Sequence, residues 1–159
     1  MTIEVRAARS PDVVQLLDLV KQHAAFERLL APIGPAELAT ILGTQAPPTT
    51  LVVADDDGDL IGYAALTFDY ALFSATYFGH LDCLFVREDA RGHGIGKRLL
   101  DHVGRLAAAS GVPRLEWQTP VWNADGIRFY EREGAVGLAK MRFSQVLAKG
   151  DAARGESGL

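Results

Sequence analysis

The segment Arg91-Gly92-His93-Gly94-Ile95-Gly96 has the composition of a turn that binds an anion. It follows an apolar stretch ending in Leu84-Phe85-Val86 and leads directly into a predicted helix. The N–H groups at the start of a helix have no acceptor within the helix, and the helix dipole adds partial positive charge there. Glycines let an anion approach the backbone closely, and Arg91 and Lys97 add formal charge. The segment therefore predicts a phosphate site.

Two familiar phosphate motifs are excluded at this turn. The P-loop pattern fails because Lys97 is followed by Arg98 rather than Ser or Thr, and the glycine spacing is wrong. The dinucleotide pattern G-x-G-x-x-G fails because Leu99 stands where the last glycine should follow Gly94 and Gly96. Two interpretations remain. The turn binds another kind of phosphate compound, or its glycines only provide the backbone conformation that the start of a helix requires.

Periodicity places this turn inside a mixed α/β sheet. Helices are predicted over 11 to about 29, 35–42, 95 to about 110 and 123–133. Strands are predicted over 3–7, 51–54, 60–68, 77–86 and 115–119, with closing strands at 135–138 and 141–147. The strand 77–86 is mostly apolar on both faces, which indicates a central position. This order predicts a partly antiparallel sheet flanked by helices.

Length, composition and charge limit the class of protein. The 159 residues fit one domain, predicted over 1–148, with 149–159 as a flexible tail. The net charge of −4 argues against a nucleic-acid partner. A single cysteine, Cys83, and four histidines without an H-E-x-x-H pattern argue against a metal site. No apolar run approaches the ~20 residues that span a bilayer, and no signal peptide is visible, so we expect a cytoplasmic protein without a membrane partner.

Two separate segments resemble the GCN5-related N-acetyltransferase (GNAT) superfamily. The turn 91–96 is similar to its R/Q-x-x-G-x-G/A signature, and Leu84-Phe85-Val86 is similar to the fourth strand that precedes it. Trp122-Asn123 together with 127–135 resembles the second conserved block of the superfamily. The resemblance covers about residues 3 to 147 and implies the GNAT acyl-CoA N-acyltransferase fold, a mixed β-sheet splayed at its centre and flanked by helices.

Three short segments resemble the spermidine/spermine and thialysine N-acetyltransferase branch. They are Phe26-Glu27-Arg28-Leu29, Leu81-Asp82 and Trp122-Asn123. The resemblance implies acetyl-CoA as cosubstrate, a small amine as acceptor and a homodimer, with no metal. It places acetyl-CoA on Leu84, Phe85, Val86, Arg91, Gly92, His93, Gly94, Ile95, Gly96, Lys97, Asn123 and Tyr130. Asn123 is also a candidate helix N-cap, and the two roles can coexist.

Asp82 is the candidate general base for the acceptor amine, because its apolar strand neighbours are expected to raise the pKa of its carboxyl by desolvation. The resembling position in the polyamine-type branch is a glutamate, so a water is expected to bridge the shorter side chain. His80 is the competing base, and a purely structural carboxylate is the alternative for Asp82. Cys83 is expected to point away from Asp82 and to be an inert thiol.

Tyr130 is the candidate general acid, since it matches a tyrosine that donates a proton to the CoA sulfur in many members of the superfamily. Packing between helix and sheet is its alternative role. Glu27, Asp82 and Trp122 are candidate contacts for the acceptor, and Trp117 either joins them or packs in the core.

The sequence predicts an N-acetyltransferase that moves an acetyl group from acetyl-CoA to a primary amine by direct attack in a ternary complex. A small amine of the polyamine, diamine or thialysine type is the expected acceptor. The alternatives are a protein N-terminal or lysine acetyltransferase, and an acyl-CoA-binding module without catalysis.

Overall fold

Five strands form one sheet in the order β1-β2-β3-β4-β5 in the computed structural model, which describes residues 2–148. The predicted tail at 149–159 lies outside the described residues. The strands are β1 (Ile3–Ala7), β2 (Thr50–Asp56), β3 (Asp59–Ala71), β4 (Thr76–Val86) and β5 (Leu115–Glu116). The first four are antiparallel to their neighbours, and β5 is parallel to β4.

Helices cover both faces of the sheet. They are α1 (Val13–Phe26), α2 (Pro35–Gly43), α3 (Ile95–Ala109) and α4 (Ala124–Arg132). Leu16 and Leu19 of α1 and Leu38 of α2 pack on one face with Tyr63 and Phe85. The buried stripe of α3 packs on the other face and consists of Ile95, Leu99, Val103 and Ala107. The predicted mixed sheet flanked by helices is confirmed. No helix in residues 2–148 is both long enough and apolar enough to span a membrane.

A β-bulge interrupts β4 at Asp82. In the register of β3 and β4, Ala65 faces Cys83 and Leu66 faces Leu81, which leaves Asp82 without a partner residue on β3. A bulge of this kind changes the direction in which the side chains of a strand point.

The bulge also changes which side chains of β4 share a face. Leu81 packs toward α3 with Leu84 and Val86, whereas Cys83 and Phe85 pack toward α1. The prediction of a regular strand over 77–86 implies that Leu81 and Cys83 share a face, and this alternation is broken at Asp82. The extra residue shifts the two-residue period by one step.

The sheet opens between β4 and β5. Only two residue pairs join them, Gly79 with Leu115 and His80 with Glu116. The strand predicted over 115–119 therefore ends at Glu116, where the chain departs from β4. This divergence is the opening of the sheet that the resemblance implies, although it lies beside β5, the last strand of the sheet.

The two predicted closing strands, 135–138 and 141–147, are wrong. The structure shows no strand after β5 within residues 2–148, although the segment alternates in the manner of a strand. A strand needs a partner edge, and β5 is only two residues long, so it offers few backbone groups for pairing. The apolar side chains of this segment are exposed; they are Val136, Leu138, Met141, Phe143, Val146 and Leu147.

Candidate active site

A cavity of about 560 Å³ lies where β4 parts from the chain that follows β5. Its walls come from the end of α1, β4, the glycine turn, the start of α3, and α4. Most of the predicted site residues line it: Glu27, Asp82, Leu84, Phe85, Val86, Arg91, Gly92, Gly94, Ile95, Gly96, Lys97, Asn123 and Tyr130. His93 and Trp122 are not among the lining residues. The structure therefore brings two segments about 30 residues apart, and the end of α1, into one site.

The glycine turn has the geometry of an anion site. Gly92 and Gly94 have φ angles of 81° and 73°, in the left-handed region that favours glycine. The first backbone hydrogen bond into α3 runs from the N–H of Arg98 to the carbonyl of Gly94, at 3.1 Å. The preceding N–H groups of 95–97 have no backbone acceptor among the described residues. Free N–H groups of this kind, at the start of a helix, are suited to bind a phosphate group.

The charged side chains near the turn have other partners. Arg91 donates from Nε to the carbonyl of Val86 at 3.0 Å, and its guanidinium lies 5.2 Å from the ring centre of Phe26. Lys97 pairs with Glu133 at 2.9 Å and with Asp101 at 3.1 Å. Lys97 is therefore neutralised by carboxylates, whereas Arg91 keeps its positive charge in the cavity wall.

His93 lies beside the turn rather than in the cavity wall. Its Nδ1 is 3.3 Å from the carbonyl oxygen of Ala90. This contact ties Nδ1 of the ring to the protein's own backbone.

Asn123 caps α4, as one of its two predicted roles requires. Its Oδ1 accepts from the N–H of Gly126 at 3.2 Å, and its Nδ2 donates to Thr119 at 2.9 Å. The cap satisfies an N–H group that would otherwise lack an acceptor at the helix start. It also fixes the position of α4 along the cavity, which positions Tyr130 two turns later.

Tyr130 is a half-buried phenol on the cavity wall. Its ring lies 5.2 Å from that of Trp117, which also lines the cavity. Burial and, to a smaller extent, the negative charge of Glu27 raise the pKa of Tyr130 to about 12. The hydroxyl is therefore protonated at neutral pH and can donate a proton.

The end of α1 places Glu27 at the cavity. The helix was predicted to continue to about residue 29, but it ends at Phe26 because Arg28 is left-handed, with φ at 60°. The N–H of Leu29 donates to the carbonyl of Ala24 at 2.8 Å, and the N–H of Arg28 donates to the carbonyl of Ala25. These two bonds form a Schellman motif, which closes the helix and reverses the chain.

Trp122 lies near the end of α1. The guanidinium of Arg28 is 4.4 Å from the centre of its ring, and the ring of Phe26 is 5.6 Å away. The predicted contact of Trp122 with the acceptor is therefore not seen in the cavity wall. Phe26, its neighbour, does line the cavity.

Asp82 is exposed at the bulge, so apolar neighbours do not enclose its carboxylate as the sequence suggested. The thiol of Cys83 lies 3.7 Å from Asp82 Oδ2, and the expectation that the two side chains point apart is therefore wrong. The bulge accounts for this contact, because it breaks the alternation between the two residues. Burial raises the pKa of the Cys83 thiol to about 12, which agrees with an inert thiol.

His80, the competing base, is directed elsewhere. Its Nδ1 is 3.3 Å from the hydroxyl of Thr67, and the residue is not among those that line the cavity. The geometry favours Asp82 and Glu27 as the carboxylates that face an acceptor.

His23 is the main site residue that sequence reasoning missed. Its Nδ1 lies 2.8 Å from the hydroxyl of Tyr63, and its Nε2 lies 3.3 Å from Oε1 of Glu27. The ring stacks on Phe85, with 5.1 Å between ring centres. The sequence contained one signal, the spacing of four residues between His23 and Glu27, which places both on the same side of a helix. Further residues of the cavity wall that were missed include Gln118, Thr119 and Phe129.

A sequence profile described as the Acetyltransferase (GNAT) family matches residues 16–135. The match covers most of the chain, including the glycine turn and the second resembling block. The chain therefore belongs to the GNAT acetyltransferase family, and it is an N-acetyltransferase. Members of the family use acetyl-CoA.

Known proteins similar to this chain act on different acceptors. The L-ornithine N5-acetyltransferase NATA1 of Arabidopsis thaliana is 27% identical, over 92% of this chain and 85% of that protein. An IAA acetyltransferase of Azospirillum brasilense is 30% identical, over 84% of this chain and 83% of that protein. The solved structure of aminoglycoside N-acetyltransferase AAC(6')-Iy with CoA has a TM-score of 0.77 and 19% identity, over 92% of this chain and 96% of that one. These comparisons support acetyl transfer and leave the acceptor open.

Proposed function

We propose that this enzyme acetylates a small primary amine of the polyamine, diamine or thialysine type, with acetyl-CoA as the donor. The observation that carries the proposal is the presence of two carboxylates, Glu27 and Asp82, in the wall of the cavity. Both act electrostatically on His23, which lies between α1 and the sheet. A pair of carboxylates is suited to a cationic acceptor. The similarity to an ornithine acetyltransferase supports an acceptor with more than one polar group.

Acetyl-CoA fits along β4 and across the start of α3. The backbone N–H groups of 92–97 would hold its pyrophosphate, and the backbone of β4 near Phe85 and Val86 would pair with its pantetheine arm. Because the chain leaves β4 after β5, the edge of β4 is free for such pairing over this stretch. Acetyl-CoA supplies a thioester whose carbonyl carbon the amine can attack.

In this proposal Asp82 is the general base and Tyr130 is the general acid. A free alkylamine has a pKa near ~10.4, so the acceptor arrives as an ammonium ion that must first lose a proton. Asp82 takes that proton through a bridging water and releases it to solvent. As the C–N bond forms and the C–S bond breaks, Tyr130 gives its proton to the sulfur and regains one from the amine nitrogen. A backbone N–H of β4 stabilises the charge on the carbonyl oxygen.

Direct attack in a ternary complex is favoured over transfer through an acyl-cysteine. The single cysteine, Cys83, is largely buried and its pKa is raised to about 12, so its thiolate is scarce at neutral pH. The thiol also lies against Asp82 rather than in the open cavity.

An amine panel tests the proposed acceptor. The purified enzyme is incubated with acetyl-CoA and, separately, with L-ornithine, 1,4-diaminobutane, spermidine and a lysine-containing peptide, while free thiol is recorded. Release with the small amines supports the proposal. Release with the peptide alone would show a protein acetyltransferase, and tight CoA binding without any release would show a binding module.

We also propose that the enzyme is a cytoplasmic homodimer. The six large apolar side chains exposed in 136–147 support an interface, since a monomer seldom exposes so many within so short a segment. Light scattering that shows a monomer at high concentration would contradict the dimer, and cell fractionation tests the location.

A further inference from the structure

His23 is a buried imidazole with a partner at each nitrogen. Its side chain is 13% exposed, and Tyr63 and Glu27 lie at hydrogen-bond distance from Nδ1 and Nε2. Burial lowers the pKa of His23, so the ring is neutral at neutral pH and has a single N–H. A carboxylate oxygen can only accept, which places the proton on Nε2, and the hydroxyl of Tyr63 then donates to Nδ1.

The ring is held firmly from several sides. Phe85 stacks on one face at 5.1 Å, and Tyr63 meets its edge at 5.8 Å between ring centres. Tyr63 itself is 1% exposed, so the hydroxyl that fixes the tautomer is part of the core. The core of the protein thus determines the direction of the N–H that points at Glu27.

The charge of the cavity depends on this neutral state. The groups that act on His23 are Glu27 from its own helix, Asp82 from β4 and Arg91 from the turn before α3. Tyr63 from β3 is its uncharged hydrogen-bond partner, and Cys83 from β4 lies beside Tyr63. A charged imidazole would neutralise the negative charge of one of the two carboxylates, whereas the neutral ring leaves both charges available to bind a cation.

We propose that His23 is a positioning residue that holds the carboxylate of Glu27 in the orientation that binds the acceptor amine. A glutamate at a helix end has several rotamers, and a hydrogen bond from a fixed donor removes most of that freedom. Oε1 of Glu27 accepts from His23, and Glu27 itself lines the cavity. The inference rests on the proposed amine acceptor. It means that Tyr63 in the core, acting through His23 and Glu27, influences the affinity for that acceptor.

A double-mutant cycle tests whether His23 acts through Glu27. His23→Phe keeps the stacking on Phe85 and removes both hydrogen bonds. We expect it to raise the KM for the amine about tenfold, as loss of a hydrogen bond to a charged group does, with kcat and the KM for acetyl-CoA within about twofold. In a Glu27→Gln background the same substitution should have no further effect on the amine KM.

Two further variants keep the test decisive if His23→Phe folds poorly. Tyr63→Phe removes only the hydroxyl that fixes the tautomer, and it should raise the amine KM in the same direction by a smaller factor. His23→Gln retains an N–H donor and should recover part of the affinity. His102→Phe on α3, outside the cavity, is the matched control and should leave the amine KM unchanged.

The outcomes separate this inference from the proposed function. Wild-type enzyme that releases no thiol with any small amine would overturn the proposed function itself. Wild-type turnover combined with additive effects of His23→Phe and Glu27→Gln, or with an equal rise in the acetyl-CoA KM, would overturn the role of His23 alone.

Discussion

The ring of Tyr130 lies 5.2 Å from the ring of Trp117, at the place where the chain leaves β4 and the sheet opens. The contact ties α4 to the chain that follows β5, so the phenol stands over the opening rather than on the surface. The proposed acetyl transfer depends on three features: the opening beside β4, the phenol of Tyr130 and the glycine turn.

Replacement of Tyr130 by phenylalanine should remove the proton donor and keep the packing on Trp117. We expect kcat to fall by about 10²-fold or more, since general acid catalysis contributes on that scale. The KM for acetyl-CoA should change little. Because its pKa is raised to about 12, Tyr130 remains protonated at neutral pH and should cause no loss of kcat at moderately alkaline pH. Steady-state kinetics measure both parameters.

Tyr70→Phe is the control for this change, because Tyr70 is an exposed tyrosine on β3 that does not line the cavity. Its kinetics should match those of the wild type. Turnover of Tyr130→Phe at the wild-type rate would remove Tyr130 from the acid role.

Gly94→Ala should weaken the binding of CoA. Its φ of 73° is costly for alanine, by about 1–2 kcal/mol, and the new Cβ would occupy the anion turn. Gly111→Ala is a matched control, with φ at 81° in a turn beyond α3 that does not line the cavity. Calorimetry should show an increase in Kd of about tenfold or more for the first variant, which is about 1.4 kcal/mol, and an unchanged Kd for the second. Equal Kd values in the two variants would contradict an anion site at the turn.

Asp82→Asn should impair the use of the amine and leave the binding of acetyl-CoA intact. Without the carboxylate, kcat/KM for the amine should fall by about 10²-fold. The loss should diminish as the pH rises, because more of the amine is then unprotonated. Asp69→Asn, at an exposed position on β3, is the control and should behave as the wild type. A loss that is the same at every pH would argue for the structural role of Asp82.

The ion cluster around Arg6 should make stability depend on pH. Arg6 binds Asp12 at 2.8 Å and Asp55 at 2.7 Å, and Asp12 is 7% exposed. The hydrogen bond from Arg6 lowers the pKa of Asp12 in the folded state, so its stabilisation is complete above the ordinary aspartate pKa of ~3.9. It is lost as the pH falls through the lowered folded-state value.

Asp12→Asn should therefore lower the free energy of unfolding by about 2 kcal/mol at pH 7, as loss of a hydrogen bond to a charged group does. Urea unfolding should show that the difference from the wild type shrinks below about pH 4, where Asp12 of the unfolded chain becomes protonated while the folded state still holds the carboxylate charged. A difference that grows on acidification would contradict this account.

The features that could be predicted from the sequence are those encoded locally. The glycines at 92, 94 and 96 specify a turn and a helix start without reference to distant residues, and Asn123 specifies a cap. The contacts that depend on pairing were missed. The bulge at Asp82 exists only in the register with β3, and His23 meets Tyr63 across forty residues of chain.

The prediction of closing strands at 135–138 and 141–147 was wrong for a related reason. An alternating apolar pattern such as 141–147 predicts a strand only when an edge is available to pair with it. Because the chain leaves β4 after Glu116, the edge that this pattern presupposed is two residues long. The pattern indicates apolar side chains that favour burial, and it does not specify which surface buries them.

A crystal structure with both CoA and L-ornithine bound tests the central claim most directly. We predict that the pyrophosphate oxygens lie within hydrogen-bond distance of the N–H groups of 92–97. We also predict that the side-chain amine lies between Glu27 and Asp82, facing Tyr130. A pyrophosphate located away from the turn, or an amine that contacts neither carboxylate, would contradict the account.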